Sequence, residues 1–213
     1  MNNTIIKPTS VCHVVGASPS ARSIKPCLAP GDLCIAADGG WQTLKSLGVT
    51  PDLIVGDFDS SSVPQSGIET IRLNPAKDET DLYAAIQLGK ACGYKNFLLY
   101  GVVGGSWGHS IGNLQILAGL AQEGFCASII AEGIRVTALC NGNITVTANN
   151  GRIISIASHS EKAVDVTLKG MQYPLNNALL NNFFPLGVRN EIIDESANIS
   201  VRQGVLLIFQ ENI

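Results

Sequence analysis

Phe97-Leu98-Leu99-Tyr100-Gly101-Val102-Val103-Gly104-Gly105-Ser106-Trp107-Gly108-His109-Ser110 passes from a buried-strand pattern, through a glycine-rich loop, into a helix. Strand, loop and helix in succession form the repeating unit of a parallel sheet covered on both faces. Working outward, Val11 to Val15, Leu33 to Ala37, Leu53 to Val55, Thr70 to Leu73 and Ala127 to Ile130 are likewise short, rich in branched residues and bounded by turn residues. Between them Trp41 to Leu47, Thr80 to Cys92 and Ser110 to Glu123 carry apolar residues at helical spacing, for example Leu82, Ala85, Ile86 and Gly89. The expected fold is α/β, a mostly parallel sheet flanked by helices, whose ligands bind at the carboxyl ends of the strands where the connections diverge.

Near Gly133 to Cys140 the spacing changes to closely set strands and turns. Ile144 to Thr147, Arg152 to Ala157, Ala163 to Leu168, Asn198 to Val201 and Val205 to Gln210 predict a small antiparallel sandwich or barrel. We therefore expect an α/β domain over 1–135 and an all-β sandwich domain over 136–213, with no internal repeat and no low-complexity linker.

Hydrophobic residues make up 46% of the 213-residue chain and charged residues 15%, which supports a sizeable core and argues against disorder. A formal net charge of −3 without a basic stripe argues against nucleic-acid binding, which needs clustered Lys and Arg. Met1 to Ser10 lacks the apolar run of a signal peptide, and no stretch approaches the roughly 20 apolar residues that cross a bilayer, so no membrane association is expected. Cys12, Cys27, Cys34, Cys92, Cys126 and Cys140 are scattered among mostly apolar neighbours, a pattern of buried free thiols suited to a reducing cytoplasm.

The acidic residues gather just past predicted strand ends. Asp38-Gly39-Gly40 follows the second strand, Gly56-Asp57-Phe58-Asp59-Ser60 the third, and Lys77-Asp78-Glu79-Thr80-Asp81 comes after the fourth and opens a helix. Asp57 and Asp59, two apart, lie on one face in extended backbone, with about 7 Å between Cα atoms. Carboxylates packed this closely repel one another unless a cation holds them ionised, and a hard divalent metal such as Mg²⁺ is the natural resolution. Mg²⁺ usually takes one or two protein carboxylates and completes its octahedron with water and phosphate oxygens, so a nucleotide is implied beside it. Asp78 is also placed to be the N-cap of the helix expected to begin at Thr80, with Asp81 at its third position.

Lys77 puts an ammonium where a phosphate over that helix start would lie. In the 101–110 loop the glycines permit positive φ and close approach of backbone N–H groups to phosphate oxygens, and His109 is placed to bond a phosphate or ribose. The loop is neither G-x-G-x-x-G nor a Walker A sequence. G-x-S-x-G and H-E-x-x-H are absent, and the three histidines, His13, His109 and His159, are too dispersed for a histidine-based metal site or triad.

Taken in order, Asp38-Gly39-Gly40, Pro51-Asp52-Leu53-Ile54-Val55-Gly56-Asp57-Phe58-Asp59-Ser60, Lys77-Asp78-x-Thr80-Asp81 and a Gly-Gly loop ending in His109, with Asn113 four residues on, resemble the thiamine pyrophosphokinase family. Lys169-Gly170-Met171-Gln172-Tyr173-Pro174-Leu175 and Gly187-Val188-Arg189-Asn190-Glu191 are also similar to its pattern. The resemblance implies a two-domain homodimer that transfers pyrophosphate from ATP to the hydroxyl of thiamine, giving thiamine diphosphate and AMP, with the β-sandwich contributing to the acceptor site and the dimer. It implies that Asp57, Asp59 and Asp81 hold Mg²⁺ and the triphosphate, with Asp38 completing the acidic rim. Lys77, Asp78, Gly104, Gly105, Ser106, His109 and Asn113 would face the nucleotide; Tyr173, Arg189 and Asn190 would lie near thiamine. Two departures bear on the acceptor: the family's Arg-x-Asp-His is Ser106-Trp107-Gly108-His109 here, and its Ser-Asn is Arg189-Asn190. A pyrophosphokinase for another alcohol such as a pterin, or a weakly active sensor of nucleotide or thiamine diphosphate, are the alternatives.

Overall fold

A computed structural model describes residues 9–19, 23–58, 67–74 and 79–211. In chain order its elements are β1 (Val11–Val15), β2 (Leu33–Ala37), α1 (Gly40–Ser46), β3 (Leu53–Gly56), β4 (Glu69–Arg72), α2 (Asp81–Ala91), β5 (Asn96–Tyr100), α3 (Trp107–Gln122), β6 (Cys126–Ala131), β7 (Ile134–Cys140), β8 (Asn143–Thr147), β9 (Ile153–Ser158), β10 (Lys162–Lys169), β11 (Leu175–Asn181), β12 (Gly187–Glu191), β13 (Ser196–Ser200) and β14 (Val205–Glu211). They fall into two compact units. One is the chain to Asn113 together with Ile129–Glu132, the other Leu114–Ser128 with Gly133–Ile213.

In the first unit the strand order is β5-β1-β2-β3-β4, with the Ile129–Ala131 end of β6 beyond β5. The pairs β5/β1, β1/β2, β2/β3 and β3/β4 are parallel, with Val15 opposite Tyr100 and Ala36, and Ala37 opposite Val55. Val14, Val15, Cys34, Ile35, Ala36, Ile54 and Val55 are buried without an alternating exposed set, as expected of strands covered on both faces. Leu44 of α1 and Ala85 and Ile86 of α2 supply covering side chains. Contact between α2 and the sheet is so close that a Cβ on Gly89 would lie 2.7 Å from Cys12 Sγ and 2.8 Å from Phe97 Cε1. Helices are fewer than a strict strand-helix alternation implies, since neither the β1–β2 nor the β3–β4 connection contains an α-helix among the described residues.

This order positions the site. From β1 the chain steps outward through β2, β3 and β4, then returns to the other side of β1 for β5. The connections after β1 and β5 therefore leave in opposite senses, a topological switch point, and all carboxyl ends of these parallel strands share one edge.

In the second unit, the strand run β12-β9-β14-β7 and the four-stranded sheet β11-β10-β13-β8 are antiparallel throughout. Ile154, Ile156, Leu206 and Ile208 of the first join Val166, Leu168, Ala197 and Ile199 of the second in one core, a sandwich as expected. Three of its strands do not announce themselves in the sequence. β7 occupies the stretch expected to be a boundary, and β11 and β12 have no clean alternation. Register shifts on both sides of Val166 interrupt the β10/β11 ladder, with Asp165 at φ 55° and Asn177 at φ 49°. In β12, Gly187 pairs with Ile156 and Asn190 with Ile154, so one extra residue bulges out beside Arg189, at φ 56°.

Candidate active site

Asp38 leaves β2 with φ 46°, a left-handed conformation that Asp tolerates better than most side chains, and its N–H donates to Val55 O at 2.7 Å, tying it to β3. The glycines around it answer to close approach. A Cβ on Gly40 would run into the Val15 carbonyl, and one on Gly56 would sit 3.0 Å from Asp38 Cα. Asp57 follows Gly56, and next to it Phe58 has φ 58°, a rare state for a bulky residue that costs on the order of 1–3 kcal/mol. Its ring, 8% exposed, packs with Val15, Ala36, Leu44 and Ile54, and that burial holds the loop in place. Asp81 is the first residue of α2. The N-cap is Thr80, whose Oγ1 accepts from Tyr83 N at 3.2 Å, and not the expected Asp78; the β-region backbone of Thr80 is the conformation a cap requires.

These three elements bring Asp38, Asp57 and Asp81 together: one carboxylate oxygen from each lies within 4.8 Å of the others, and all three residues are half-buried. Two such charges 4.8 Å apart repel by about 3.5 kcal/mol at an effective dielectric near 20. Three carboxylate oxygens this close form an all-oxygen donor set of the kind that a hard divalent ion such as Mg²⁺ would take. Asp59, Lys77 and Asp78 lie outside the described residues.

The acidic rim opens into a pocket of about 500 Å³ whose lining includes Asp38, Asp57, Asp81, Gly104, Gly105, Ser106, His109 and Asn113. That is large enough for a small-molecule ligand. Gly104 and Gly105 have φ 80° and 94°, and Ser106 caps α3 by accepting from His109 N at 3.4 Å. Asn113 Nδ2 donates to Val102 O at 2.5 Å, so this side chain also braces the loop. Gly16, Ala17, Ser18 and Pro19, which were not anticipated, complete much of the lining together with Glu79 and Thr80 of the motif that opens α2. For the first four the signal was available: they follow a buried strand as Asp38 and Gly101 do.

Within the sheet, His13 of β1 is 2% exposed. Its Nε2 is 3.3 Å from Asp32 Oδ2, its Nδ1 3.3 Å from Tyr100 Oη, and its ring stacks on Tyr100 at 5.8 Å. Burial lowers the His13 pKa, against the opposing pull of Asp32. The neutral ring then donates from Nε2 to Asp32 and accepts at Nδ1 from the Tyr100 hydroxyl. Desolvation alone would raise the Asp32 carboxyl, but the N–H groups of Ala29 and Val11, with His13, hold it below its usual range. Burial pushes the Cys34 thiol up to about 12, and Cys12 also rises, so both are inert. The expectation that the cysteines are buried holds for these two; Cys27, Cys92 and Cys126 are exposed, Cys92 as the C-cap of α2 and Cys126 at the first position of β6.

In the second unit Asn190 is buried, its Oδ1 accepting from Tyr173 N at 3.0 Å and its Nδ2 donating to Tyr173 O at 2.8 Å. Its amide thus anchors the backbone of Tyr173, whose ring is exposed. Arg189, exposed on the bulge, donates its N–H to Ser155 Oγ at 3.0 Å. None of the helices among the described residues is long and apolar enough to cross a membrane.

Residues 25–128 match the family profile described as thiamin pyrophosphokinase, catalytic domain, and residues 143–206 the one described as thiamin pyrophosphokinase, vitamin B1 binding domain. Over 186 residues the chain is 28% identical to the thiamine pyrophosphokinase of Bacillus subtilis (strain 168), which covers 84% of this chain and 86% of that relative. The crystal structure of thiamine pyrophosphokinase from Bacillus subtilis superposes with a TM-score of 0.85 at 24% identity, covering 96% of this chain and 100% of that one. The corresponding structure from Geobacillus thermodenitrificans gives 0.83 at 26% identity, with 95% and 98% covered.

Proposed function

Because this chain belongs to the thiamine pyrophosphokinase family, we propose that its acidic pocket grips the triphosphate of ATP through Mg²⁺ while the hydroxyl of thiamine attacks the β-phosphorus. The enzyme transfers pyrophosphate from ATP to thiamine, yielding thiamine diphosphate and AMP. A bond forms between the hydroxyl oxygen and the β-phosphorus, the bond from that phosphorus to the oxygen bridging the α-phosphate breaks, and the hydroxyl proton passes to a base. The observation that carries this reading is the set of three carboxylate oxygens within 4.8 Å beside a glycine loop and a helix start.

Asp38, Asp57 and Asp81, joined by Asp59, are the residues that would hold Mg²⁺. When bound, the ion neutralises charge on the phosphate oxygens. Transfer at phosphorus asks the protein for positioning and charge stabilisation above all. Gly104, Gly105, Ser106, His109 and Asn113, together with Lys77 and Asp78, are assigned to the nucleotide. Asp59 or Asp81 accepts the hydroxyl proton. Tyr173, Arg189 and Asn190 are assigned to the acceptor, Asn190 by fixing Tyr173. The catalytic residues thus belong to 1–135 and the acceptor contacts to 136–213.

A homodimer is part of the proposal, supported by exposed Phe183, Phe184, Leu186 and Val188 along the β11–β12 connection and the start of β12, an apolar run that a second copy would cover. A cytoplasmic location accords with the unpaired cysteines.

The test is incubation with Mg-ATP and a panel of alcohols while AMP is measured. AMP released with thiamine is expected. AMP released only with a pterin alcohol would put a related pyrophosphokinase in its place, and no AMP with any acceptor would leave the weakly active sensor.

A further inference from the structure

The loop after β1 and the loop after β5 are laced together. Gly16 N donates to Tyr100 O at 2.8 Å and Ser18 N to Gly101 O at 2.9 Å. Gly16 must be glycine for this, since a Cβ there would lie 2.6 Å from Gly101 O. The Ser18 hydroxyl then reaches the carbonyl oxygens of both Val103 and Gly104, the latter at 2.5 Å. From the other flank, Ser110 Oγ accepts from Gly104 N at 3.1 Å and donates to Ser106 O at 2.8 Å, and Asn113 holds Val102 O.

With these groups engaged, the N–H donors of Gly105 and Ser106 have no hydrogen-bond partner among the described residues, and both residues line the pocket. Across a trans peptide the carbonyl of one residue and the N–H of the next point in opposite directions. A hydroxyl that pins the Gly104 carbonyl on one side therefore sets the direction of the Gly105 N–H on the other. Gly105, at φ 94°, has the backbone freedom to be set wrongly once that pin is gone.

We propose that Ser18 is a positioning residue for the polyphosphate: by holding the Gly104 carbonyl, with Val103 O beside it, it aims the Gly105 N–H at a phosphate oxygen. The inference rests on the ATP reading above and adds to it a residue that makes no demand on the acceptor.

Ser18→Ala removes the hydroxyl and Ser18→Thr keeps it. We expect Ser18→Ala to raise KM for ATP about tenfold, the scale of one charge-assisted hydrogen bond, while KM for thiamine stays within about twofold and Ser18→Thr restores the ATP value. An unchanged KM for ATP, an equal rise for both substrates, or failure of the Thr variant to restore binding would each overturn the assignment. Calorimetric titration with Mg-tripolyphosphate keeps the two readings apart. If the wild-type chain releases no AMP with thiamine, the acceptor reading falls, yet weaker tripolyphosphate binding by Ser18→Ala than by Ser18→Thr still supports the positioning role, and equal binding refutes it.

Discussion

Replacing Asp57 by Asn is expected to make the metal-free protein more stable while abolishing turnover. With the three carboxylate oxygens within 4.8 Å, each pair repels by about 3.5 kcal/mol at an effective dielectric of 20 and about 0.9 kcal/mol at that of water. Neutralising Asp57 removes two of the three pairs, so the relief lies between about 2 and 7 kcal/mol, nearer the lower figure because the group is half-exposed. For a chain of this length about 1 kcal/mol moves Tm by roughly 2–4 °C. Melting in EDTA should therefore shift upward by several degrees in Asp57→Asn, an isostere that keeps one acceptor oxygen. The same charge attracts Mg²⁺, so the rise in Tm that Mg²⁺ produces in the wild type should shrink to less than half in the variant, with AMP production down by about a thousandfold. Paired melts with EDTA and with Mg²⁺ decide the matter. A variant that melts below the wild type in EDTA and responds to Mg²⁺ just as strongly would show that these carboxylates do not act as one charged site.

Gly40→Ala forces a methyl group into the Val15 carbonyl, so it should cost about 3 kcal/mol or more, seen as a fall of around 10 °C in Tm, even though alanine is the better helix former. The lowered pKa of buried His13 carries a sign: below pH ~6.5 the unfolded chain takes up a proton that the folded chain resists, so stability falls as pH drops from the unfolded value toward the folded one. Denaturant midpoints should decline from pH 7 toward pH 5 in the wild type and stay flatter in His13→Gln, whereas the contribution of Asp32, whose pKa is also lowered, is lost only below about pH 4. If the proposed dimer forms through this apolar run, Phe184→Glu, at a position 60% exposed, should yield a monomer by light scattering without lowering its helix content. A wild-type mass of one chain at micromolar concentration would remove the dimer from the proposal.

Much of this protein is legible in its residue order because strands and caps are local. Branched apolar runs of four to six residues gave β1 and β2 their observed bounds, Val11–Val15 and Leu33–Ala37, and the habit of acidic residues to follow strand ends marked Asp38, Asp57 and Asp81. The reading failed where local rules compete or are interrupted. Thr80 and Asp78 are both good caps, and only the chain path selects Thr80; bulges beside Asn177 and Arg189 break the alternation that would have revealed β11 and β12. What no periodicity contains is the order of strands. Because β1 lies between β2 and β5, Ser18 meets Val103 across 85 positions of sequence, and Asp38, Asp57 and Asp81 share one edge. Side-chain chemistry was written into the sequence, but the distances that make it a site come from sheet order and from glycines that let backbones touch, and these are properties of the folded chain alone.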